Sequence, residues 1–217
     1  MIVVSLDGFR WDYLDRPTAV RLRGPGSIRQ WAGLAAPGLL DRTNLVVVSD
    51  HGMTAISPDR VIFLDDYVAL QPGDVVDLAP VTAIDPGSGR LDVFARRLIG
   101  AHPHLSVYRQ ADVPARFRFR DSPRITPIVA IADDGWTIST RTQWKMKPLN
   151  DLGNHGYDHQ LPSMAAILIG TGPAFRRGAV VPAVQNVHVY SLLAHLFGVR
   201  PAPNDGSLDS VLALLRY

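Results

Sequence analysis

With 217 residues, 47% of them hydrophobic and 19% charged, the chain has the apolar content for a real core and too little charge for disorder. Its basic residues are arginine apart from Lys145 and Lys147, its acidic residues are all aspartate, and the net charge is +2. Arginines scattered among aspartates read as solubility and local ion pairs, so nucleic-acid binding is not expected, and the absence of cysteine excludes a disulfide framework or a thiolate metal site.

No stretch approaches the roughly 18 apolar residues of a membrane span, so no membrane partner is expected. The chain opens on the β-branched run Ile2–Leu6, without the charged start and apolar stretch of a signal peptide. A second such run, Leu45–Ser49, ends at Asp50-His51-Gly52. Both runs are apolar on both faces, the pattern of central strands in a parallel sheet covered by helices. Between them, 21–26 is turn-like and 27–38 has helical spacing, closed by Pro37-Gly38.

Further on, the period of 91–100 predicts a helix with Leu91, Phe94, Ala95, Leu98 and Ile99 on one face, followed by a strand at 105–108. The arginine-, aromatic- and proline-rich 114–127 reads as a surface excursion. Ile128–Ala132 and 136–139 flank Asp133-Asp134-Gly135, a hairpin signal. A buried strand is expected at 165–169, then a helix over 186–197 capped by Asn186 and stopped by Gly198, then a short helix at 207–215. Alternating strands and helices make the class α/β, and the length suits one domain over 1–217 with an excursion at 110–127.

Four side chains on tight turns can do chemistry: Asp7, Asp50, His51 and His155, the last within Gly-Asn-His-Gly. In open α/β sheets ligands gather past the carboxyl ends of parallel strands, where Asp7 and Asp50-His51 fall. Carboxylates with imidazoles, and no cysteine, suit zinc. Each piece alone has a plain alternative, such as a turn signal at Asp7-Gly8 or an unremarkable loop histidine at 155. His102 and His104 read as a surface turn, and His188 and His195 as ordinary helix residues. Trp11, Trp31, Trp136 and Trp144 read as packing, and Arg10 and Arg16 either as phosphate partners or as ion pairs with Asp12 and Asp15.

The strings VVSLDGFRWDYLDR, DRTNLVVVSDHGM, PARFRFRDSPRI, ADDGWTI, GNHGYD and SMAAILIGTGPAF, in this order, resemble the nucleotide pyrophosphatase/phosphodiesterase family of the alkaline phosphatase superfamily. The resemblance implies an alkaline-phosphatase-like, mostly parallel sheet flanked by helices. It also implies a two-zinc hydrolase acting on phosphodiester or pyrophosphate bonds of nucleotide-like substrates. One zinc would be held by residues matching Asp7, Asp50 and His51 and by a nucleophilic threonine. The other would be held by an Asp-x-x-x-His pair and the residue matching His155. Members of the family are commonly exported.

The chain departs from that pattern between Asp7 and Asp50. Only 42 residues separate the two, and neither the family's threonine nor its Asp-x-x-x-His pair is found there. The seam-like 21–27 marks an apparent deletion, so the fold is expected to be truncated. Thr18, Thr43, Ser27 and Ser49 are the hydroxyls available as replacements, and none has the family's flanking pattern. One zinc site is therefore near-complete and the second is left with His155, to which His159 is a weak addition. Two expectations follow: a metal-dependent phosphodiesterase, or a catalytically impaired relative that keeps a partial metal site.

Overall fold

The structure, a computed structural model, describes residues 1–15, 38–146 and 153–216. Thr18, Ser27, Arg16, Trp31, the seam at 21–27 and the helix expected at 27–38, Gly38 apart, lie outside the described residues. In chain order the strands are β1 (Ile2–Leu6), β2 (Leu45–Ser49), β3 (Thr54–Ala55), β4 (Val61–Phe63), β5 (Val75–Asp77), β6 (Val81–Ile84), β7 (Leu105–Arg109), β8 (Ile128–Ala132), β9 (Thr137–Ser139), β10 (Gly153–Asn154) and β11 (Leu168–Thr171). Among the described residues the α-helices are α1 (Leu91–Leu98), α2 (Arg141–Met146) and α3 (His188–Phe197). The backbone clusters into two compact units: Met1–Asp50 with Ala166–Tyr217, and His51–Ala165.

In the first unit the two β-branched runs pair in parallel, in register from Ile2 opposite Leu45 to Leu6 opposite Ser49. β11 closes the other side of β2, antiparallel, with Leu168 opposite Val48. It starts three residues later than expected, because Pro162–Met164 is spent on a 3-10 turn and Ile167 already bonds to Ser49 N through its carbonyl (3.0 Å). β2 is the central strand and its Val46 is fully buried with Phe175, Leu192, Val211 and Leu215. β1, in contrast, is the edge strand among the described residues, and Ile2, Val3 and Val4 remain 37–40% exposed. The expectation that both runs are covered on both faces is thus corrected for β1.

α3 ends as expected at Gly198, whose φ of 66° is the left-handed conformation glycine adopts without strain. Its start is corrected. Val187 precedes the first helical residue without a side-chain cap, and Asn186 instead donates from Nδ2 to the Asp50 carbonyl (3.0 Å). The closing segment is a 3-10 helix, Asp209–Leu214, that buries Val211.

In the second unit a four-stranded antiparallel sheet runs in the order β5-β6-β8-β7. All five residues of β8 are buried and its two faces feed different clusters. Ile128, Ala130 and Ala132 join Phe94, Ala95 and Leu98 of α1 in the main core. Val129 and Ile131 point the other way, toward Val113. The hairpin expected around Asp133-Asp134-Gly135 does not form. Both edges of β8 are taken, by β6 and β7, so β9 pairs in parallel with β4 in a separate two-stranded sheet. The turn itself is real, with Trp136 N bonded to Asp133 O at 2.9 Å and Gly135 at φ 78°. The excursion is tied down by Gln110, whose backbone N–H donates to Pro127 O (2.9 Å) and whose side-chain amide donates to Arg120 O and Ser122 O (3.0 and 2.9 Å).

Candidate metal centre

Asp7 and Asp50 stand one residue past the last registered pair of β1 and β2. Parallel pairing brings both to the same carboxyl edge of the sheet, the usual place for ligands in α/β folds. Gly8 turns the chain away with a φ of 61° and donates its N–H to Asp50 Oδ1 at 3.1 Å. Phe9 N donates to Ser49 Oγ at 2.9 Å, so consecutive amides after β1 hold consecutive side chains at the end of β2. With Asn186 on its carbonyl, Asp50 is fixed at both side chain and backbone.

The carboxylates of Asp7 and Asp50 and the ring of His51, joined to Asp50 by one peptide bond, each offer a ligand atom, and these atoms lie within 4.8 Å of one another. Among the described residues this is the only group of three or more such side chains. Both carboxylates are exposed and the imidazole is half-buried. His51 Nδ1 lies 2.9 Å from Gly52 O. A carbonyl can only accept, so in this contact Nδ1 is the donor. Gly52 is required next to it. A Cβ there would sit 2.1 Å from Ser163 O and 2.9 Å from Ala165 O, while Gly52 N donates to Met164 O at 2.9 Å.

His155 follows β10, which pairs with β3 just beyond His51. Its exposed ring stacks on that of His51, with centroids 3.9 Å apart and planes 12° from parallel. It is not a member of the three-residue group. His159 lies edge-on to Phe117 at 5.8 Å, in a different setting from the His51–His155 stack. Of the hydroxyls considered, Ser49 is 1% exposed and occupied as an acceptor, and Thr43 precedes β2, at the opposite end of the strand from Asp50. Arg10 pairs with Asp12 at 2.9 Å, the plainer of its two readings.

Asp74 is nearly buried and Arg90 holds its carboxyl below the usual range. His188 Nδ1 accepts from Ser207 N at 3.0 Å. His104 stacks on Trp136 (4.3 Å) and bonds to Asp133 (3.0 Å), while burial pushes neighbouring His102 down from its ordinary value. The sequence missed Asn186 as a support of Asp50, because nothing local links residues 136 positions apart.

Two carboxylates and an imidazole past parallel strands, in an alkaline-phosphatase-like α/β fold, form a candidate cation site. Residues 29–158 match the family described as Type I phosphodiesterase / nucleotide pyrophosphatase, and the chain belongs to that family. It is 40% identical over 178 residues to the bis(5'-adenosyl)-triphosphatase ENPP4 of Bos taurus, a span of 82% of this chain and 38% of the relative. It is also 40% identical over 177 residues to human ectonucleotide pyrophosphatase/phosphodiesterase family member 5, over 82% of this chain and 36% of the relative. The solved structure of human family member 5 superposes with a TM-score of 0.77 at 37% identity, over 97% of this chain and 56% of that one. An inactive threonine-to-alanine variant of the murine protein, in complex with AMP, gives 0.77 at 37% identity, over 93% of this chain and 54% of that one. The chain thus spans well under half the length of the curated relatives it matches.

Proposed function

We propose that this chain acts on phosphodiester or pyrophosphate bonds of nucleotide-like substrates with the aid of a divalent cation, zinc by preference, held by Asp7, Asp50 and His51. The observation that carries this reading is the meeting of three ligand atoms within 4.8 Å at the end of a parallel strand pair, in a chain of this family. Two hard oxygens and one borderline nitrogen, with no thiolate, fit zinc, and three protein ligands leave a fourth position open. When bound, such an ion lowers the pKa of water and offsets negative charge on a phosphoryl oxygen. The protein's own part is to hold the ligands still: the Gly8 amide orients the Asp50 carboxylate, and the Gly52 carbonyl accepts from His51 Nδ1. We assign His155, whose ring stacks on that of His51, as the remnant ligand of a second ion that the family pattern implies.

A specific observation also favours the second reading, a catalytically impaired relative. The murine relative solved with AMP is inactive with one threonine replaced by alanine, and neither Ser49 nor Thr43 offers a counterpart: Ser49 is buried and Thr43 lies at the far end of β2. Loss of a covalent nucleophile costs on the order of a million-fold in kcat in a serine protease. Hydrolysis of p-nitrophenyl thymidine monophosphate with added zinc separates the two. Zinc-dependent release of p-nitrophenol that disappears in Asp7→Ala supports the enzyme, and release no faster than in buffer supports the impaired relative.

A further inference from the structure

The connection from α1 to β7 is closed by an imidazole. His102 Nδ1 accepts the backbone N–H of His104 at 3.1 Å, and the His102 carbonyl accepts that of Leu105 at 3.1 Å. A backbone N–H can only donate, so the first bond needs a lone pair on Nδ1, and a doubly protonated ring has none. The arrangement copies an Asx turn, in which a side-chain oxygen holds the amide two residues on. An asparagine oxygen accepts at any pH, whereas an imidazole changes charge in the mildly acidic range.

The turn supports a wall built from other parts of the chain. The His104 ring stacks on the Trp136 indole, with centroids 4.3 Å apart and planes 18° from parallel, and His102 meets the same indole edge-on at 5.1 Å. His104 also holds Asp133 twice: its carbonyl accepts the Asp133 N–H at 3.1 Å, and its Nδ1 lies 3.0 Å from Asp133 Oδ2. His104, Asp133 and Trp136 line a recess of about 440 Å³. Two ionisable groups act on His102, namely His104 from its own turn and Asp133 from the turn after β8. Burial keeps the His102 ring below its ordinary value, His104 lowers it further, and Asp133 works in the opposite sense.

We infer that the His102-Pro103-His104 turn is a pH-sensitive latch: a proton on His102 removes the acceptor of the His104 amide, frees the turn and loosens the wall that His104, Asp133 and Trp136 form. Closure is complete above the ordinary histidine value of about 6.5, and it weakens as pH falls through that value toward the lower one of the closed ring. Hydrogen–deuterium exchange read by mass spectrometry, with exchange times scaled to the intrinsic rate at each pH, tests the latch. Between about pH 7.5 and about pH 5, which brackets ordinary histidine titration, scaled exchange over 102–105 should rise about fivefold in the wild-type protein, the equivalent of one ordinary hydrogen bond. Exchange over 132–136 should rise with it. His102→Asn gives the His104 amide an oxygen that does not titrate and should keep exchange flat across the same range. His102→Ala, with no acceptor, should exchange at the faster rate at both pH values. An equal rise in His102→Asn, no rise in the wild-type protein, or slow exchange in His102→Ala at neutral pH overturns the latch.

Discussion

Replacing Asp50 by asparagine isolates charge from architecture at the metal group. The Gly8 amide lies 3.1 Å from Asp50 Oδ1, and an asparagine oxygen can accept the same bond. Metal-free stability should therefore fall by no more than about 1 kcal/mol, the worth of an ordinary hydrogen bond. Zinc at about one hundred times its dissociation constant stabilises a folded protein by about 2.7 kcal/mol. For a chain of this size each kcal/mol moves Tm by about 2–4 °C, so zinc should raise the wild-type Tm by about 5–10 °C. With one of three ligands neutralised, Asp50→Asn should lose most of that rise. Asp41→Asn is the control, an exposed carboxylate only 3.9 Å from Arg177 and outside the group. Differential scanning fluorimetry across a zinc titration reads all three proteins. An undiminished rise in Asp50→Asn, or an equal loss in Asp41→Asn, refutes the assignment.

Gly52→Ala should destabilise the protein by more than the roughly 1 kcal/mol of a simple glycine replacement, because a Cβ would meet a carbonyl oxygen at 2.1 Å; urea unfolding measures it. Asp74, held by Arg90, has its carboxyl lowered, so its contribution is present above the unfolded-state pKa of about 3.9 and is lost as pH falls through the lower folded value. The wild-type Tm should therefore drop on acidification below that range, and Asp74→Asn should show a lower Tm at neutral pH with a shallower acid limb. Gln110→Ala removes two bonds that pin the excursion, and limited proteolysis should then cut faster between Phe117 and Arg124.

Much of the fold is legible locally. An apolar β-branched run that stops at Asp-Gly or Asp-His-Gly says strand, then turn, and β1 and β2 end where those signals fall. The helical period of α1 and the stop at Gly198 need only neighbours a turn or two away. The misreadings share a cause, which is competition from distant chain. The turn after β8 has a hairpin's residues, yet β6 and β7 take the ladder bonds on offer. Asn186 has a capping residue's chemistry, but the Asp50 carbonyl claims it. Apolar content alone does not tell the edge strand β1 from the central β2. At the metal group, the residue types and turns can be read from the chain, whereas the His51 contact with Gly52 O and its stack with His155 require coordinates.

β1 also bears on how the protein behaves in the tube. Among the described residues β1 is an outer strand, and one displaying Ile2, Val3 and Val4 invites a neighbouring molecule to dock alongside; its five residues include none of the lysines that commonly discourage such adhesion. Crowded preparations should consequently stick through their amino-terminal margins, and a lysine at position 3 is the smallest change expected to keep them apart.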